Sequence, residues 1–259
     1  MNDPIPNTFD PANARELCAL SVEAYGGPPA AETPGLWCEA AGTHVRLHPR
    51  PDGLLVAFRG TADLRDWLTD LDCELIRAGD FRVHRGFHQA VRAVEPALDD
   101  SLAQARPTRL WVTGHSLGGA LAKLWALRAA GRGHAVAGVY TFGQPRVGDA
   151  AFAAHYNSLL QDRSFRIVHA DDVVPRLPWV LGRYRHAGHE VFFPSGASAP
   201  VLDCPLPRKL LYDIPGLLRE AFRDRLALLE DHHISRYLAL FAEPSAEICP
   251  SQLPTLKLP

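Results

Sequence analysis

The sequence predicts an α/β fold in which helices cover both faces of a mostly parallel central sheet. Short apolar runs alternate along the chain with amphipathic stretches of about ten or more residues, which is the pattern of βαβ units. The runs at 110–112 and 136–140 are apolar throughout, as expected for strands buried on both faces of a sheet. No internal repeat or break in composition divides the 259 residues. We therefore expect a single α/β domain.

The first half of the pattern begins with a helix at 13–24, which a Gly-Gly pair closes. Strands at 43–47 and 54–58 follow, and the Pro-Asp-Gly turn at 51–53 joins them. A helix is expected at 87–105 because its apolar residues recur at helical spacing. These residues are Val91, Val94, Ala97, Leu98 and Leu102.

The second half begins with a β-rich run at 109–113 that ends in Gly114, followed by a strong helix pattern at 117–130 that Gly131 stops. Further strands are expected at 135–142, 164–168 and 184–193, and further helices at 149–160 and 217–241. We assign residues 1–242 to the α/β domain and residues 243–259, which are rich in Pro and Ser, to a C-terminal tail.

Composition excludes several classes of protein. Lys and Arg number 27 and Asp and Glu number 29, so the chain lacks the basic excess of a nucleic-acid binder. The five cysteines form no C-x-x-C pair, which argues against a thiolate zinc site and against a complete disulfide set. The N-terminal residues show no signal-peptide pattern, and no stretch approaches the roughly 18 apolar residues that span a bilayer. We expect a cytoplasmic protein without a transmembrane segment, with export by a signal-independent route left open.

Residues 114–118 read G-H-S-L-G, and their position between an apolar strand and a helix makes Ser116 a candidate nucleophile. A serine at such a tight turn has a strained backbone and a hydroxyl that points away from the sheet. Gly114 and Gly118 leave room for the turn, and the helix start brings the Leu117 N–H beside a reacting carbonyl. We interpret His115 as a packing residue, because neighbours on a strand point to opposite faces.

A nucleophilic serine in this setting needs an acid and a base that follow it in the order Ser, Asp or Glu, His. Asp171 and Asp172 follow the strand at 164–168, and either could orient an imidazole. His232 and His233 lie near the end of the domain, and either could be the base. These residues alone leave both choices open.

Six motifs occur in the order that is seen in the class 3, or fungal-type, lipases, a branch of the α/β-hydrolases. They are V-A-F-R-G-T at 56–61 followed by Asp66 and Trp67, V-H-R-G-F at 83–87, G-H-S-L-G-G-A at 114–120, T-F-G-Q-P-R-V-G at 141–148, D-V-V-P-R-L-P at 172–178 and D-H-H-I-S-R-Y-L at 231–238. The chain from Arg15 to Phe241 therefore resembles this family, and the resemblance implies an α/β-hydrolase fold.

The resemblance also implies roles for single residues. The family's acid is the Asp directly before the V/I-V-P step, which corresponds to Asp172. Its base lies in a D-H-x-[IM]-x-x-Y element and corresponds to His232, with His233 as the alternative because shorter versions place the histidine closer to the tyrosine. Its second oxyanion donor follows F-R-G and corresponds to Thr61, which would act together with the Leu117 N–H.

The implied activity is hydrolysis of carboxylic esters, in particular acylglycerols, through an acyl-enzyme and without a metal or organic cofactor. Apolar residues at 64–71 recur at helical spacing, so this segment is either a lid that contacts lipid surfaces transiently or part of the core. The apolar stretch at 210–218 could line an acyl pocket. The alternatives are a feruloyl-type esterase, a phospholipase A1 or a catalytically silent interaction protein.

Overall fold

The computed structural model describes residues 8–28, 36–61, 73–169, 172–178, 182–195, 199–205 and 232–241. In chain order its elements are α1 (Pro11–Glu23), β1 (Leu36–Ala40), β2 (Thr43–Arg50), β3 (Gly53–Phe58), β4 (Leu75–Ala78), β5 (Phe81–His84), α2 (Arg85–Ala105), β6 (Leu110–His115), α3 (Leu117–Gly131), β7 (Val136–Phe142), α4 (Ala150–Leu160), β8 (Ser164–His169), β9 (His189–Phe193), β10 (Val201–Leu202) and α5 (Ile234–Ala239). Short 3-10 turns cover Ala24–Gly26, Gln161–Arg163 and Val174–Arg176.

Among the described residues, eight strands form one sheet in the order β1-β2-β3-β6-β7-β8-β9-β10. The central strands β3, β6, β7, β8 and β9 run parallel to one another. Antiparallel pairs extend the sheet at both edges, through β1 and β2 on one side and β10 on the other. The predicted mostly parallel sheet is therefore confirmed, and the carboxyl ends of β6, β7 and β8 meet at one edge.

Alternation along the strands divides the core between the two faces of the sheet. On β3, Leu54, Val56 and Phe58 pack with the helices α2, α3 and α4. The intervening Leu55 and Ala57 pack on the other face with α1 and α5. Helices therefore cover both faces, as the apolar strands predicted.

Helix starts follow the local capping chemistry. Asp10 precedes α1, and its Oδ1 accepts a hydrogen bond of 2.8 Å from the Ala12 N–H, with Pro11 at the first helical position. Asp149 precedes α4 and accepts a bond of 2.9 Å from the Phe152 N–H. These caps set the helix boundaries within two residues of those predicted.

The strands β4, β5 and β10 were not predicted, and the structure differs from the sequence expectation at three further places. The hairpin of β1 and β2 turns at Ala41 and Gly42, both with positive φ, and an alanine there is not a recognisable turn signal. The strand expected at 184–193 begins only at His189, because Gly188 has φ 74° and lies against Ser164. The helix expected at 217–241 begins, within the described residues, at Ile234.

Three further expectations fall outside the described residues: the helix at 64–71, the apolar stretch at 210–218 and the tail at 243–259. Among the described residues, no helix is long and apolar enough to span a membrane. Among the cysteines in the described part of the chain, Cys18 and Cys38 are free thiols.

Candidate active site

Ser116 lies in a sharp turn between β6 and α3. Its backbone has φ 57° and ψ −129°, a region that costs a residue with a side chain about 1–3 kcal/mol. Its N–H donates to the Phe142 carbonyl over 2.9 Å, so the turn is tied to the end of the neighbouring strand β7. The strained strand–turn–helix geometry expected for the G-H-S-L-G segment is therefore present.

Both glycines of this segment are required by close backbone contacts. A Cβ at Gly114 would collide with the Gly118 backbone. A Cβ at Gly118 would collide with the Phe58 carbonyl and lie 2.9 Å from the Gly60 nitrogen. The start of α3 thus packs directly on the chain that leaves β3.

This packing brings together the two oxyanion candidates. Leu117 is the first residue of α3, and Thr61 follows the Phe58–Gly60 backbone against which that helix start packs. The parallel register of β3 and β6, in which Phe58 pairs with Gly114, sets this alignment. An N–H at a helix start carries partial positive charge, so this corner can stabilise a negative oxygen.

Asp172 and His232 form a buried hydrogen-bonded pair. His232 Nδ1 lies 2.6 Å from Asp172 Oδ2, although the two residues are 60 positions apart. A carboxylate oxygen accepts here, so Nδ1 carries the proton and Nε2 presents its lone pair. Asp172 and His232 are each 1% exposed.

Two further donors hold the Asp172 carboxylate. Oδ1 accepts a bond of 2.8 Å from the Val174 N–H. Oδ2 accepts a short bond from the Tyr237 hydroxyl, which lies one turn into α5. Burial and the charge of Asp172 raise the pKa of Tyr237 well above its ordinary value, so this hydroxyl keeps its proton. The motif analysis named Tyr237 without giving it this contact.

The end of β7 contacts both Ser116 and the Asp172–His232 pair. Gly143 directly follows Phe142, to which the Ser116 N–H is bonded, and a Cβ at Gly143 would lie 2.7 Å from His232 Cε1. Within the described part of the chain, neither Ser116 Oγ nor His232 Nε2 has a hydrogen-bond partner, and both atoms are buried. The arrangement can transfer a proton from a hydroxyl to an imidazole that a carboxylate orients.

His115 differs from its expected orientation. Its ring stacks on the ring of His232 at a centroid distance of 4.5 Å, so it packs on the candidate base. Alternation along β6 ends at the positive φ of Ser116, so the strand rule does not separate these neighbours. The sequence shows the histidine of G-H-S-L-G, but it does not show the contact with His232, because the two residues are 117 positions apart.

His233 and two further histidines, His186 and His189, take separate positions. His233 is exposed, and its Nδ1 lies 2.9 Å from Ser235 Oγ. His186 Nε2 donates to the Pro175 carbonyl over 2.7 Å, while His189 pairs with Asp203 over 2.6 Å. No group of three or more potential metal ligands gathers among the described residues.

Comparison with known proteins places these residues in a family. The family described as lipase (class 3) matches residues 55–181. A secreted mono- and diacylglycerol lipase of Fusarium solani is 33% identical over 164 residues, which are 60% of this chain and 48% of that relative. A lipase of Rhizomucor miehei is 35% identical over 163 residues, which are 58% of this chain and 44% of that relative.

The chain belongs to the class 3 lipase family. A solved triacylglycerol lipase, described as having a serine protease triad as its catalytic centre, has a TM-score of 0.60 and 27% identity and covers 70% of this chain and 79% of that chain. The predicted α/β-hydrolase fold of a class 3 lipase is thereby confirmed. The chain spans about half the length of these two curated relatives.

The prediction of a cytoplasmic location is wrong for this class 3 lipase, because the relative from Fusarium solani is a secreted lipase. The prediction rested on the absence of a pattern at the N-terminus. Neither the α/β-hydrolase fold nor the free thiols of the described residues select a cellular compartment.

Proposed function

We propose that the protein hydrolyses carboxylic esters by acyl transfer to Ser116, with His232 as the base and Asp172 as the acid that orients it. The observation that carries this proposal is the 2.6 Å bond between His232 Nδ1 and Asp172 Oδ2 beside a serine with φ 57°. This bond selects the tautomer in which Nε2 can accept the serine proton.

In the proposed reaction Ser116 Oγ attacks the ester carbonyl carbon while His232 Nε2 takes its proton. The resulting tetrahedral oxyanion receives hydrogen bonds from the N–H groups of Leu117 and Thr61. His232 then donates the proton to the leaving alcohol, and a water molecule hydrolyses the acyl-enzyme by the same steps. Loss of one oxyanion donor in such a site costs about 10²–10³ in kcat.

The direct test is labelling with a fluorophosphonate probe that reacts with activated serines. The wild-type protein should be labelled and should hydrolyse p-nitrophenyl esters, whereas Ser116→Ala should do neither. Ser101→Ala is a matched control, because Ser101 lies in α2 and its hydroxyl bonds to the Ala97 carbonyl over 2.8 Å. Equal labelling of the wild type and Ser116→Ala would exclude Ser116 as the nucleophile.

Acylglycerols are the proposed substrates, and contact with a lipid interface is part of this proposal. The relatives support it, since they include a mono- and diacylglycerol lipase and a triacylglycerol lipase. The burial of Ser116 and His232 also supports contact with a lipid interface, because an ester has to reach two atoms that are closed to bulk solvent. The name of the Fusarium solani relative, a secreted lipase, further supports an extracellular place of action. An activity assay of the culture medium and of the cell lysate would test it.

A substrate series separates this proposal from the other esterases. Tributyrin and triolein emulsions, a phosphatidylcholine and a feruloyl ester should be compared at equal enzyme concentration. We expect the highest rate on acylglycerols, with a rise once the substrate exceeds its solubility limit. A higher rate on phosphatidylcholine would indicate a phospholipase A1, and a higher rate on the feruloyl ester would indicate a feruloyl-type esterase.

We assign catalysis to a domain of residues 1–242 and propose that the tail at 243–259 is dispensable for it. A chain that ends at Ala242 should therefore keep the wild-type kcat on p-nitrophenyl butyrate. A large loss of kcat with an unchanged thermal unfolding temperature would contradict this boundary.

A further inference from the structure

His115 makes several contacts behind the site. It is 4% exposed and lies at the end of β6, directly before Ser116. Its ring stacks on that of His232 with an interplanar angle of 29°. Its Nε2 lies 2.8 Å from the His232 carbonyl oxygen, and its Nδ1 lies 2.9 Å from the Tyr25 hydroxyl. Tyr25 belongs to the 3-10 turn that follows α1.

The partners determine how His115 is protonated. A carbonyl oxygen only accepts, so Nε2 of His115 carries the hydrogen and donates it to His232. Nδ1 then holds a lone pair and accepts from the Tyr25 hydroxyl. Burial, followed by the charge of His232, lowers the pKa of His115 well below its ordinary value. Burial also raises the pKa of Tyr25, against the effect of Arg59, so its hydroxyl remains a donor.

The same tyrosine contacts the chain that precedes Thr61. A Cβ at Gly60 would collide with the Tyr25 hydroxyl and would lie 2.7 Å from the His115 carbonyl oxygen. The Gly60 backbone therefore packs against Tyr25 and His115 together. Three parts of the site, which are the serine turn, the oxyanion strand end and the His232 segment, meet at this pair.

We propose that Tyr25 and His115 form a positioning pair that holds the backbone and the ring of His232 in place for proton transfer and aligns the oxyanion loop. This inference rests on the proposed function. His115 cannot itself be the base, because one ring nitrogen carries a donated hydrogen and the other is occupied by Tyr25. Its neutral ring presents a π face to His232, and such a face stabilises the imidazolium that forms when His232 accepts the serine proton.

Removal of the Tyr25 hydroxyl tests the hydrogen-bonded part of the pair. Tyr25→Phe should lower kcat about 10-fold and leave KM within twofold, because one hydrogen bond is lost and no substrate contact changes. Tyr156→Phe is the matched control, since it removes another buried tyrosine hydroxyl, which lies 2.9 Å from Ser164 Oγ in the α4–β8 region. Equal kcat values for the two variants would overturn the proposal.

Substitution of His115 tests the stacking. His115→Phe keeps an aromatic face against His232, whereas His115→Leu does not. Both should lower kcat, because both lose the bond to the His232 carbonyl. In a profile of kcat/KM against pH, only His115→Leu should move the acidic limb, and it should move to lower pH because the imidazolium loses its π partner. Identical acidic limbs in the two variants would overturn the proposed role of the stacked ring.

A readout that needs no ester distinguishes failure of the pair from failure of the proposed function. The proton on His232 Nδ1, in its 2.6 Å bond to Asp172, should give a far-downfield NMR signal. This signal should shift or broaden in Tyr25→Phe and His115→Leu and remain unchanged in Tyr156→Phe. If the wild type hydrolyses esters through Ser116 but the signal and kcat of Tyr25→Phe equal those of the wild type, only the pairing is wrong. If the wild type hydrolyses none of the esters, the proposed function is wrong, and the NMR result still decides whether the pair positions His232.

Discussion

Asp172 is held by more hydrogen bonds than its role as a partner of His232 requires. Its two oxygens accept from the Val174 N–H, from His232 Nδ1 and from the Tyr237 hydroxyl. A buried carboxylate without such donors would be costly, and donors of fixed position also fix its orientation. At the scale of single residues, Tyr237 therefore supports the geometry of the pair.

Tyr237→Phe should lower kcat/KM by about 10- to 100-fold, since a hydrogen bond to a charged group contributes about 1.5–3 kcal/mol. Steady-state kinetics on p-nitrophenyl butyrate measures this effect. Tyr140→Phe serves as the control, because it removes another buried tyrosine hydroxyl, which accepts a 3.4 Å bond from the Asp10 N–H. An unchanged kcat/KM for Tyr237→Phe would show that Val174 suffices to orient the carboxylate.

Gly143 is the second residue whose position was not recognised from its motif. It has φ 59°, and a Cβ there would lie 2.7 Å from His232 Cε1 and 2.8 Å from Asp172 Oδ2. An alanine would therefore push the pair apart. We expect Gly143→Ala to lower kcat at least 100-fold, because a displaced catalytic group loses its alignment.

Gly133→Ala is a matched control for backbone strain. Gly133 also has a positive φ, 88°, but a Cβ there would meet nothing within 4 Å. Both variants should lose thermal stability through backbone strain, whereas only Gly143→Ala should lose kcat. A parallel loss of kcat in Gly133→Ala would mean that general destabilisation, and not displacement of His232, explains the result.

At the scale of elements, α5 and the residues directly before it place Tyr237 and His232 at the site. The helix packs on the α1 face of the sheet through Ile234 and Tyr237, which are buried. His233 is its N-cap with φ −64° and ψ 134°, and its side chain accepts from the Ser235 N–H. The cap turns the chain so that His232 faces Asp172 while His233 faces solvent, which favours His232 as the base.

Paired substitutions test this assignment. His233→Asn keeps a capping side chain and should retain kcat within twofold, because His233 makes no contact with Asp172. His232→Asn should lose activity by several orders of magnitude, because no base remains. The reverse outcome, with activity lost only in His233→Asn, would transfer the role to His233.

At the scale of the whole molecule, two histidines of the described residues, the buried His115 and the half-buried His186, have no acidic partner among those residues. Burial, then the charge of His232, lowers the pKa of His115 well below 6.5. Burial, then the charges of Arg166, Arg146 and Lys123, does the same for His186. The unfolded chain gains protons at both positions as pH falls below 6.5, whereas the folded protein does not. The free energy of unfolding should therefore decrease with acidification in this range.

Urea unfolding at pH 7.5, 6.5 and 5.5 measures this effect, which is at most about 1.4 kcal/mol per pH unit for each histidine. His186→Gln should reduce the slope, because one of the two groups no longer titrates. His155→Gln, at an exposed position in α4, should leave the slope as it is. Parallel slopes for the wild type and His186→Gln would show that His186 takes up a proton in the folded state.

The order of strands and helices and the position of Ser116 could be predicted because they depend on neighbouring residues. Strand and helix periodicity, the Asp caps and the glycines around the turn all act over a few positions, and the described elements follow them. The resemblance added Thr61 and selected Asp172 and His232 from pairs of neighbouring candidates, and the fold brings these residues and Leu117 to one edge of the sheet. The edge strand β1 was missed because its turn places an alanine, Ala41, at a positive φ beside Gly42.

The contacts among distant side chains depended on the packing of the sheet with α1 and α5. His115 lies 90 residues from Tyr25 and 117 residues from His232, and no local pattern relates such positions. Tyr237 reaches Asp172 over 65 residues only because α5 docks by its buried face. Backbone hydrogen bonding and periodicity are short-range and can be read along the chain. The orientation of one buried ring against another follows from how two layers pack, and that is decided only once the chain has folded.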